Sequence, residues 1–109
     1  ANKIFVFTPK LNVIELLEGS NTIDVAYHIH SNLGNKCTGA KVNGKIVPLN
    51  YQLKTGDVVE IKTSKTCTGP TNAWIKLAKT SHARTKIKGF INKKQRDEIV
   101  QKGRYYWNA

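Results

Sequence analysis

The chain of 109 residues contains no methionine, only three prolines and two cysteines, and 7 acidic residues against 18 lysines and arginines. Cys37 and Cys67, in a sequence without a secretory leader, are too few for a disulfide framework, so we expect reduced thiols in a cytoplasmic protein. No hydrophobic run approaches the length of a membrane span, and we expect no membrane partner. The lack of methionine, with alanine at position 1, leads us to expect a piece of a longer protein.

The shortage of acids is greatest in the last third of the chain. Residues 1–72 hold eight lysines and five acids, whereas residues 73–109 hold ten lysines and arginines and only two acids. A nearly balanced domain is thus followed by a basic segment, and phosphate groups are the natural partner of such a charge distribution. The alternative is a helix face that is simply solvated.

Alternation of apolar and polar residues predicts five short strands and one helix. The β-branched and aromatic stretches at 3–8 and 12–17 form a hairpin, and 58–63 is the last strand. Asn43-Gly44 marks the hairpin between the third and fourth strands, because both residues tolerate positive φ. The order strand, strand, helix, strand, strand, strand predicts an α+β fold of the β-grasp (ubiquitin-like) kind. One helix would cover a mixed sheet, and a short basic helical extension would follow.

The helix is predicted from the periodicity of NTIDVAYHIHSNLG, residues 21–34, in which Gly34 fits a left-handed stop. At about 100° per residue, one apolar face is expected to pack on the sheet. This face consists of Ile23, Val25, Ala26, Ile29 and Leu33. His28 falls on the opposite, solvated side together with Asp24, and His30 falls at the rim of the apolar face.

The division of the chain is expected to follow the change in charge. Residues 3–64 form the β-grasp domain, 65–72 a linker, and 73–104 the start of a basic helical region, here called the basic arm. Apolar spacing in the basic arm predicts three short helices, the first carrying Trp74 and the second beginning at Ser81. Their apolar residues need a surface, either the β-grasp domain or a part outside this sequence.

Metal binding and catalysis find little support in these residues. On a helix, His28 and His30 point about 200° apart and cannot share one ion, and Cys37 and Cys67 add no recognised zinc spacing. No nucleophile stands in a known motif beside a base, no pair of carboxylates converges, and no glycine-rich phosphate loop is present. We therefore expect no metal, no cofactor and no catalytic residue in this fragment.

Binding is the remaining class of function. His30, at the end of a helix, can stack on a base or donate a hydrogen bond to phosphate; the alternative is a packed, hydrogen-bonded histidine. Lys36, Lys41 and Lys45 follow the helix and would form a basic ridge, and we expect Lys41 to share one patch with His30. The alternative is a set of edge-strand lysines that discourages aggregation.

Five segments of the chain also carry a resemblance. They are VFTPK, VIEL, AYHIHSNLG, CTGAKVNGKIVPLNYQLKTGDVVEI and GPTNAWIKLAKTSHARTKIKGF. Together they resemble the TGS domain of the RelA/SpoT proteins, the bacterial stringent-response enzymes that make and hydrolyse guanosine tetra- and pentaphosphate (ppGpp). The likeness extends from Lys3 to about Arg104 and is least at the final RYYWNA. It implies a β-grasp fold, in agreement with the strand and helix pattern.

The resemblance implies a regulatory role without catalysis, since the catalytic centres of the parent GTP pyrophosphokinase and ppGpp hydrolase lie before this domain. It implies contact with the 3′ CCA end of uncharged tRNA on the ribosome, with His30 at the contacting position. His28, Lys36, Lys41 and Lys45 are the expected neighbours of that contact. Binding there would act allosterically on the distant catalytic domains.

The resemblance also implies that the basic arm lies against ribosomal RNA and tRNA. The residues expected to carry this contact are Lys76, Lys79, Arg84, Lys86 and Lys88. The alternative function is a protein-interaction module that docks acyl carrier protein or the catalytic half of the enzyme itself. Acyl carrier protein is acidic, so the basic surface is compatible with either function.

Overall fold

A computed structural model describes the backbone of residues 2–107 and the side chains of residues 2–99. The side chains of residues 100–104, the end of the predicted basic arm, lie outside the described residues. The elements are β1 (Lys3–Phe7), β2 (Val13–Leu17), α1 (Thr22–Ile29), α2 (Ser31–Asn35), β3 (Cys37–Val42), β4 (Lys45–Val47), β5 (Val59–Thr63), α3 (Asn72–Leu77) and α4 (Ser81–Trp107).

The strands form a mixed sheet from two antiparallel parts. β1 pairs with β2, and β3 lies between β4 and β5. A parallel bridge between Phe7 and Val58 joins β1 to β5, supported by a hydrogen bond of 2.8 Å from the Phe7 N–H to the Asp57 carbonyl oxygen. The spatial order is therefore β2-β1-β5-β3-β4, with α1 across one face. The predicted α+β, β-grasp fold is confirmed.

The turn between β3 and β4 has the geometry that its two residues predict. Asn43 and Gly44 have φ angles of 53° and 84°, both in the left-handed region that a tight type I′ hairpin requires. The Asn43 side chain also accepts a hydrogen bond from the Val58 N–H at 2.9 Å and donates one to Asp57 at 3.0 Å. The hairpin tip is thereby tied to the start of the central strand β5.

The main core lies between the sheet and one side of α1. In β1 and β2, buried and exposed residues alternate, which is the pattern of a sheet with one covered face. The buried members of this core are Ile4, Val6, Ile14, Leu16, Val25, Ala40, Val42, Leu53 and Val59. Positions 5, 13 and 17 face away from it and are exposed.

The opposite side of α1 packs on the basic arm. The buried members of this second cluster are Ile23, Tyr27, Ala78, Ala83 and Ile87. The spacing of Ala83, Ile87 and the half-buried Ile91 places one stripe of α4 against α1. The apolar residues of the basic arm therefore find their surface on the β-grasp domain, one of the two options that the sequence left open.

α4 is one continuous helix from Ser81 to Trp107, whereas the sequence predicted two helices there. The segment contains no proline, and Gly89 stays helical with open space around the position of a Cβ. A lone glycine costs a helix about 1 kcal/mol, too little to end it. Within residues 2–107, no helix is both long and apolar enough to cross a bilayer.

α1 is shorter than predicted. It ends at Ile29, His30 is extended with φ −166° and ψ 143°, and α2 follows at once. The expected left-handed stop at Gly34 is wrong, because Gly34 is helical and packs on the Tyr27 ring, from which a Cβ would lie 2.5 Å away. The break also redirects the apolar face, so that Ile29 is 43% exposed and Leu33 is half-buried, where the sequence predicted both to be buried.

Asp24 is buried, and its expected place on the solvated side of α1 is wrong. Asn21 caps α1, and Asp24 completes a capping box by accepting a hydrogen bond from the Asn21 N–H at 2.9 Å. The same carboxylate accepts hydrogen bonds from the Lys79 N–H, the Thr80 N–H and the Thr80 hydroxyl at 2.9–3.0 Å. A helical wheel places Asp24 in solvent because it cannot show that the basic arm covers this side.

Candidate nucleic-acid interface

His30 lies on the surface at the junction between α1 and α2, where it is exposed. It serves as the N-cap of α2: its Nδ1 accepts a hydrogen bond from the Asn32 N–H at 3.0 Å. Because Nδ1 is an acceptor there, the neutral ring carries its proton on Nε2, which is left to donate. The cap fixes the ring while its face and its Nε2–H stay available to a ligand. Of the alternative, a packed and hydrogen-bonded histidine, the hydrogen bond within the domain is present, but the ring is exposed and not packed.

His28 is also exposed but faces a different part of the surface. It lines a shallow cleft of about 260 Å³ beside the start of α4, together with Lys3, Glu15, Thr80 and His82. His30 does not line this cleft. The two histidines that the sequence placed two residues apart therefore do not share one site.

Two of the three lysines after the helix, Lys41 and Lys45, lie on opposite faces of the sheet. Lys41 pairs with Ile46 and Glu60 across neighbouring strands and so lies on the face away from α1, whereas Lys45 pairs with the buried Val42 and lies on the other face. Glu60, the cross-strand partner of Lys41, lies on the same face of the sheet as Lys41. The pKa of the Glu60 carboxyl is lowered by the hydrogen bond and the charge of Lys62 and, to a smaller extent, by the charge of Lys41.

Lys36 is the lysine that the structure places beside α2. It is exposed and directly follows this helix as its C-cap. Lys41, in contrast, is directed to the opposite face of the sheet from α1, so His30 and Lys41 do not form the single patch that the sequence led us to expect. His30 and Lys36 instead flank one five-residue helix, as its N-cap and its C-cap.

The predicted residues of the basic arm differ in their exposure and in the contacts that they already make within the chain. Lys76, Lys86 and Lys88 are exposed, and Lys86 and Lys88 lie on opposite flanks of the buried stripe of α4. The aliphatic part of Lys79 passes over Gly19, 3.5 Å from the position of a Cβ. Arg84 is half-buried and donates from Nη1 to the carbonyl oxygens of residues 78 and 79 at 3.3 and 3.1 Å. Arg84 thus closes the turn between α3 and α4.

A groove between α2 and α4 combines the predicted Lys86 with residues that the sequence reasoning missed. It has a volume of about 830 Å³, and its lining also includes Asn32, Asn35, Phe90, Lys93 and Lys94 together with two carboxylates, Asp97 and Glu98. Lys86 and Lys93 are seven residues apart, two turns of the helix, and this spacing was the available signal. His30 caps the N-terminus of α2, and α2 also forms one wall of the groove, so the exposed imidazole and the groove lie at the same short helix.

The described residues offer no assembled metal site. No group of three or more histidine, cysteine, aspartate or glutamate side chains comes together among them. Cys37 is buried, and burial raises the pKa of its thiol to about 11, so it is poorly suited to ligate a metal or to attack a substrate that arrives from solvent at neutral pH. The arrangement is suited to binding through exposed cations, an imidazole and amide groups.

Comparison with known proteins identifies the β-grasp part of the chain. Residues 4–63 match the family model of the TGS domain. A guanosine-3′,5′-bis(diphosphate) 3′-pyrophosphohydrolase from Aquifex aeolicus is 50% identical over 102 residues, 94% of this chain. GTP pyrophosphokinases from Myxococcus xanthus and Escherichia coli K12 are 50% and 43% identical, again over 94% of this chain. The chain spans 14% of the length of each of these three relatives.

Proposed function

The chain belongs to the TGS domain family, and from this premise we propose that it is the non-catalytic regulatory domain of a cytoplasmic ppGpp synthetase/hydrolase. The domain would sense uncharged tRNA on the ribosome by contacting its 3′ CCA end and would thereby control the distant catalytic domains. The observation that supports this most is the exposed imidazole of His30, fixed by its own cap on α2. The names of the relatives support the nature of the parent enzyme.

The contact would use two properties of His30. The ring offers a flat face on which a terminal base can stack, an interaction worth about 1–3 kcal/mol, and Nε2–H can donate to a phosphate or base oxygen. Lys36, at the other end of α2, would meet the backbone phosphates. Since His28 lines a separate cleft beside α4, we expect it to contribute much less.

The basic arm would supply the contact that does not depend on sequence. Lys86, Lys93 and Lys94 line the groove that begins at α2, so a phosphate backbone passing from His30 along α4 would meet them in turn. Contacts of lysine with phosphate release counterions and add affinity without base recognition. Ribosomal RNA and the body of the tRNA are the proposed partners of this surface.

The alternative function, docking of acyl carrier protein or of the enzyme's own catalytic half, is favoured by a different observation. Phe5, Val13 and Ile46 are 43%, 60% and 82% exposed, and they lie on the sheet face that α1 does not cover. Apolar side chains on an open sheet face suit a protein partner better than a nucleic acid. The two functions use different faces and can therefore be tested separately.

The experiment compares His30→Glu, His30→Asn and His28→Glu in the full-length enzyme that contains this chain. His30→Glu should abolish activation by uncharged tRNA and leave basal synthesis unchanged. His30→Asn keeps a side chain suited to capping α2 but lacks the ring, so it should also lose activation while its melting temperature stays near that of wild type.

His28→Glu is the matched control for the change in charge and should retain most of the activation. Equal effects of the His28 and His30 substitutions would contradict the proposal, as would full activation of His30→Asn. Competition distinguishes the alternative function: an oligonucleotide ending in CCA should displace tRNA, and acyl carrier protein should not.

A further inference from the structure

The two cysteines lie next to each other where the sheet ends and the segment leading to α3 begins. Cys67 Sγ donates a hydrogen bond to the carbonyl oxygen of Cys37 at 3.9 Å, although 30 residues separate them in the sequence. Both thiols are free. No function assigned above to the β-grasp domain or to the basic arm uses either of them.

The backbone holds the two cysteines in this position. At the end of β5, the Ser64 N–H donates to the Lys36 carbonyl oxygen at 3.0 Å, which extends the pairing with β3 by one bond. The chain then turns, and the Cys67 N–H donates to the Ser64 carbonyl oxygen at 3.2 Å. This turn folds Cys67 back over the first residue of β3, so the proximity follows from the fold.

The two thiols differ in their access to solvent. Cys37 is 1% exposed, its Sγ donates to the Gly39 carbonyl oxygen at 3.5 Å, and burial raises its pKa to about 11. Cys67 is only half-buried. Because the thiolate is the nucleophile and must reach its reagent, Cys67 reacts with an external oxidant first and Cys37 follows.

We propose that Cys37 and Cys67 form an intramolecular disulfide in response to oxidised glutathione or a similar small disulfide. The Cys67 thiolate attacks one sulfur of the oxidant, forming a mixed disulfide and releasing one glutathione thiolate. The Cys37 thiolate then attacks Cys67 Sγ and releases the second glutathione. Two protein thiols lose two protons and two electrons, and one small disulfide is reduced to two thiols.

The disulfide would fix the base of the basic arm. It would close a loop that contains β4 and β5 and hold the segment after β5 against β3. Cys37 comes two residues after the end of α2, so the bridge would lie close to the helix that His30 caps. In a reducing cytoplasm the pair is open, and oxidative stress would close it.

The test uses the 109-residue chain, treated with oxidised glutathione, alkylated with N-ethylmaleimide and weighed intact by mass spectrometry. The expected product is a monomer that has lost two hydrogens and takes up no alkylating agent. It should melt at a higher temperature than the reduced chain, dithiothreitol should remove the difference, and amide exchange in residues 64–71 should slow.

Two variants separate the steps. Cys67→Ser should resist oxidation, since its remaining thiol is buried, and Cys37→Ser should stop at a glutathione adduct on Cys67. Wild-type protein that stops at the same adduct, keeps both thiols alkylable or links two chains would overturn the proposal. The wild-type result decides the question even if Cys37→Ser fails to fold.

Discussion

Replacing Asp24 with alanine should loosen the joint between the β-grasp domain and the basic arm. The Asp24 carboxylate is 1% exposed and accepts hydrogen bonds from four donors: the backbone N–H groups of Asn21, Lys79 and Thr80 and the hydroxyl of Thr80. Alanine would leave those donors without their acceptor in a buried position.

The expected cost follows from the number of donors. A net value of about 1 kcal/mol for each hydrogen bond gives about 4 kcal/mol of lost unfolding free energy. Asp24→Asn keeps the shape but replaces one acceptor oxygen with an NH₂ group that faces N–H donors, and we expect most of the same loss. A domain with a typical stability of about 5–15 kcal/mol would be strongly weakened.

Urea denaturation followed by circular dichroism measures the loss, and hydrogen exchange at residues 79 and 80 locates it. Asp97→Ala is the matched control, because it removes the same charge from an exposed position and should change stability by about 0.5 kcal/mol or less. A cost of Asp24→Ala below about 1 kcal/mol, or one equal to that of Asp97→Ala, would refute the reasoning.

Three further predictions concern packing, pH and salt. Ile29→Ala should cost about 1 kcal/mol and Ile23→Ala about 2–5 kcal/mol in denaturant melts, since Ile29 is 43% exposed and Ile23 is 0% exposed; equal costs would contradict the fold. Burial raises the pKa of Cys37 from 9.0 to about 11. Between these pH values the unfolded chain releases a proton that the folded chain keeps, so the free energy of unfolding should fall from pH 9 to pH 11. The fall should be less steep in Cys37→Ala, and identical slopes of unfolding free energy against pH in the two proteins would count against this. Binding of the basic arm to RNA should weaken as salt rises, and Lys86→Ala should reduce the slope of log K against log salt by about one; binding independent of salt would exclude a phosphate contact.

The strands and their order were predictable because one face of the sheet is covered and the other is open. That arrangement forces period-two alternation on β1 and β2, and Asn43-Gly44 sets the register of the next hairpin through its positive φ angles. The end of α1 was not predictable from periodicity. His30 stops the helix by capping the next one, and Gly34 is required for the approach of the Tyr27 ring, a tertiary contact.

The candidate site was only partly visible in the sequence. The exposed position of His30 agrees with the sequence-based expectation, because a residue at the end of an amphipathic helix tends to lie at the surface. The face on which Lys41 lies depends on its pairing with Glu60, and that register cannot be read from residue spacing near the helix. Arg84 looks like a free cation in the sequence, but the turn between α3 and α4 supplies two carbonyl oxygens that bind it.

α1 connects the two surfaces that the proposed function requires. One side of this helix is buried against the sheet through Val25, and the other side is buried against α3 and α4 through Ile23 and Tyr27. The Asp24 carboxylate, in the first turn of α1, accepts hydrogen bonds from the Lys79 and Thr80 N–H groups and so holds the basic arm to this helix. The exposed ring of His30 and the lysines of the groove are therefore held at a fixed separation. In the proposed function, two weak contacts held in this way would act on one RNA as a bivalent site, in which binding at the first would raise the effective concentration at the second. Sensitivity to tRNA would then depend on the buried joint at Asp24 as well as on the residues that touch the nucleic acid.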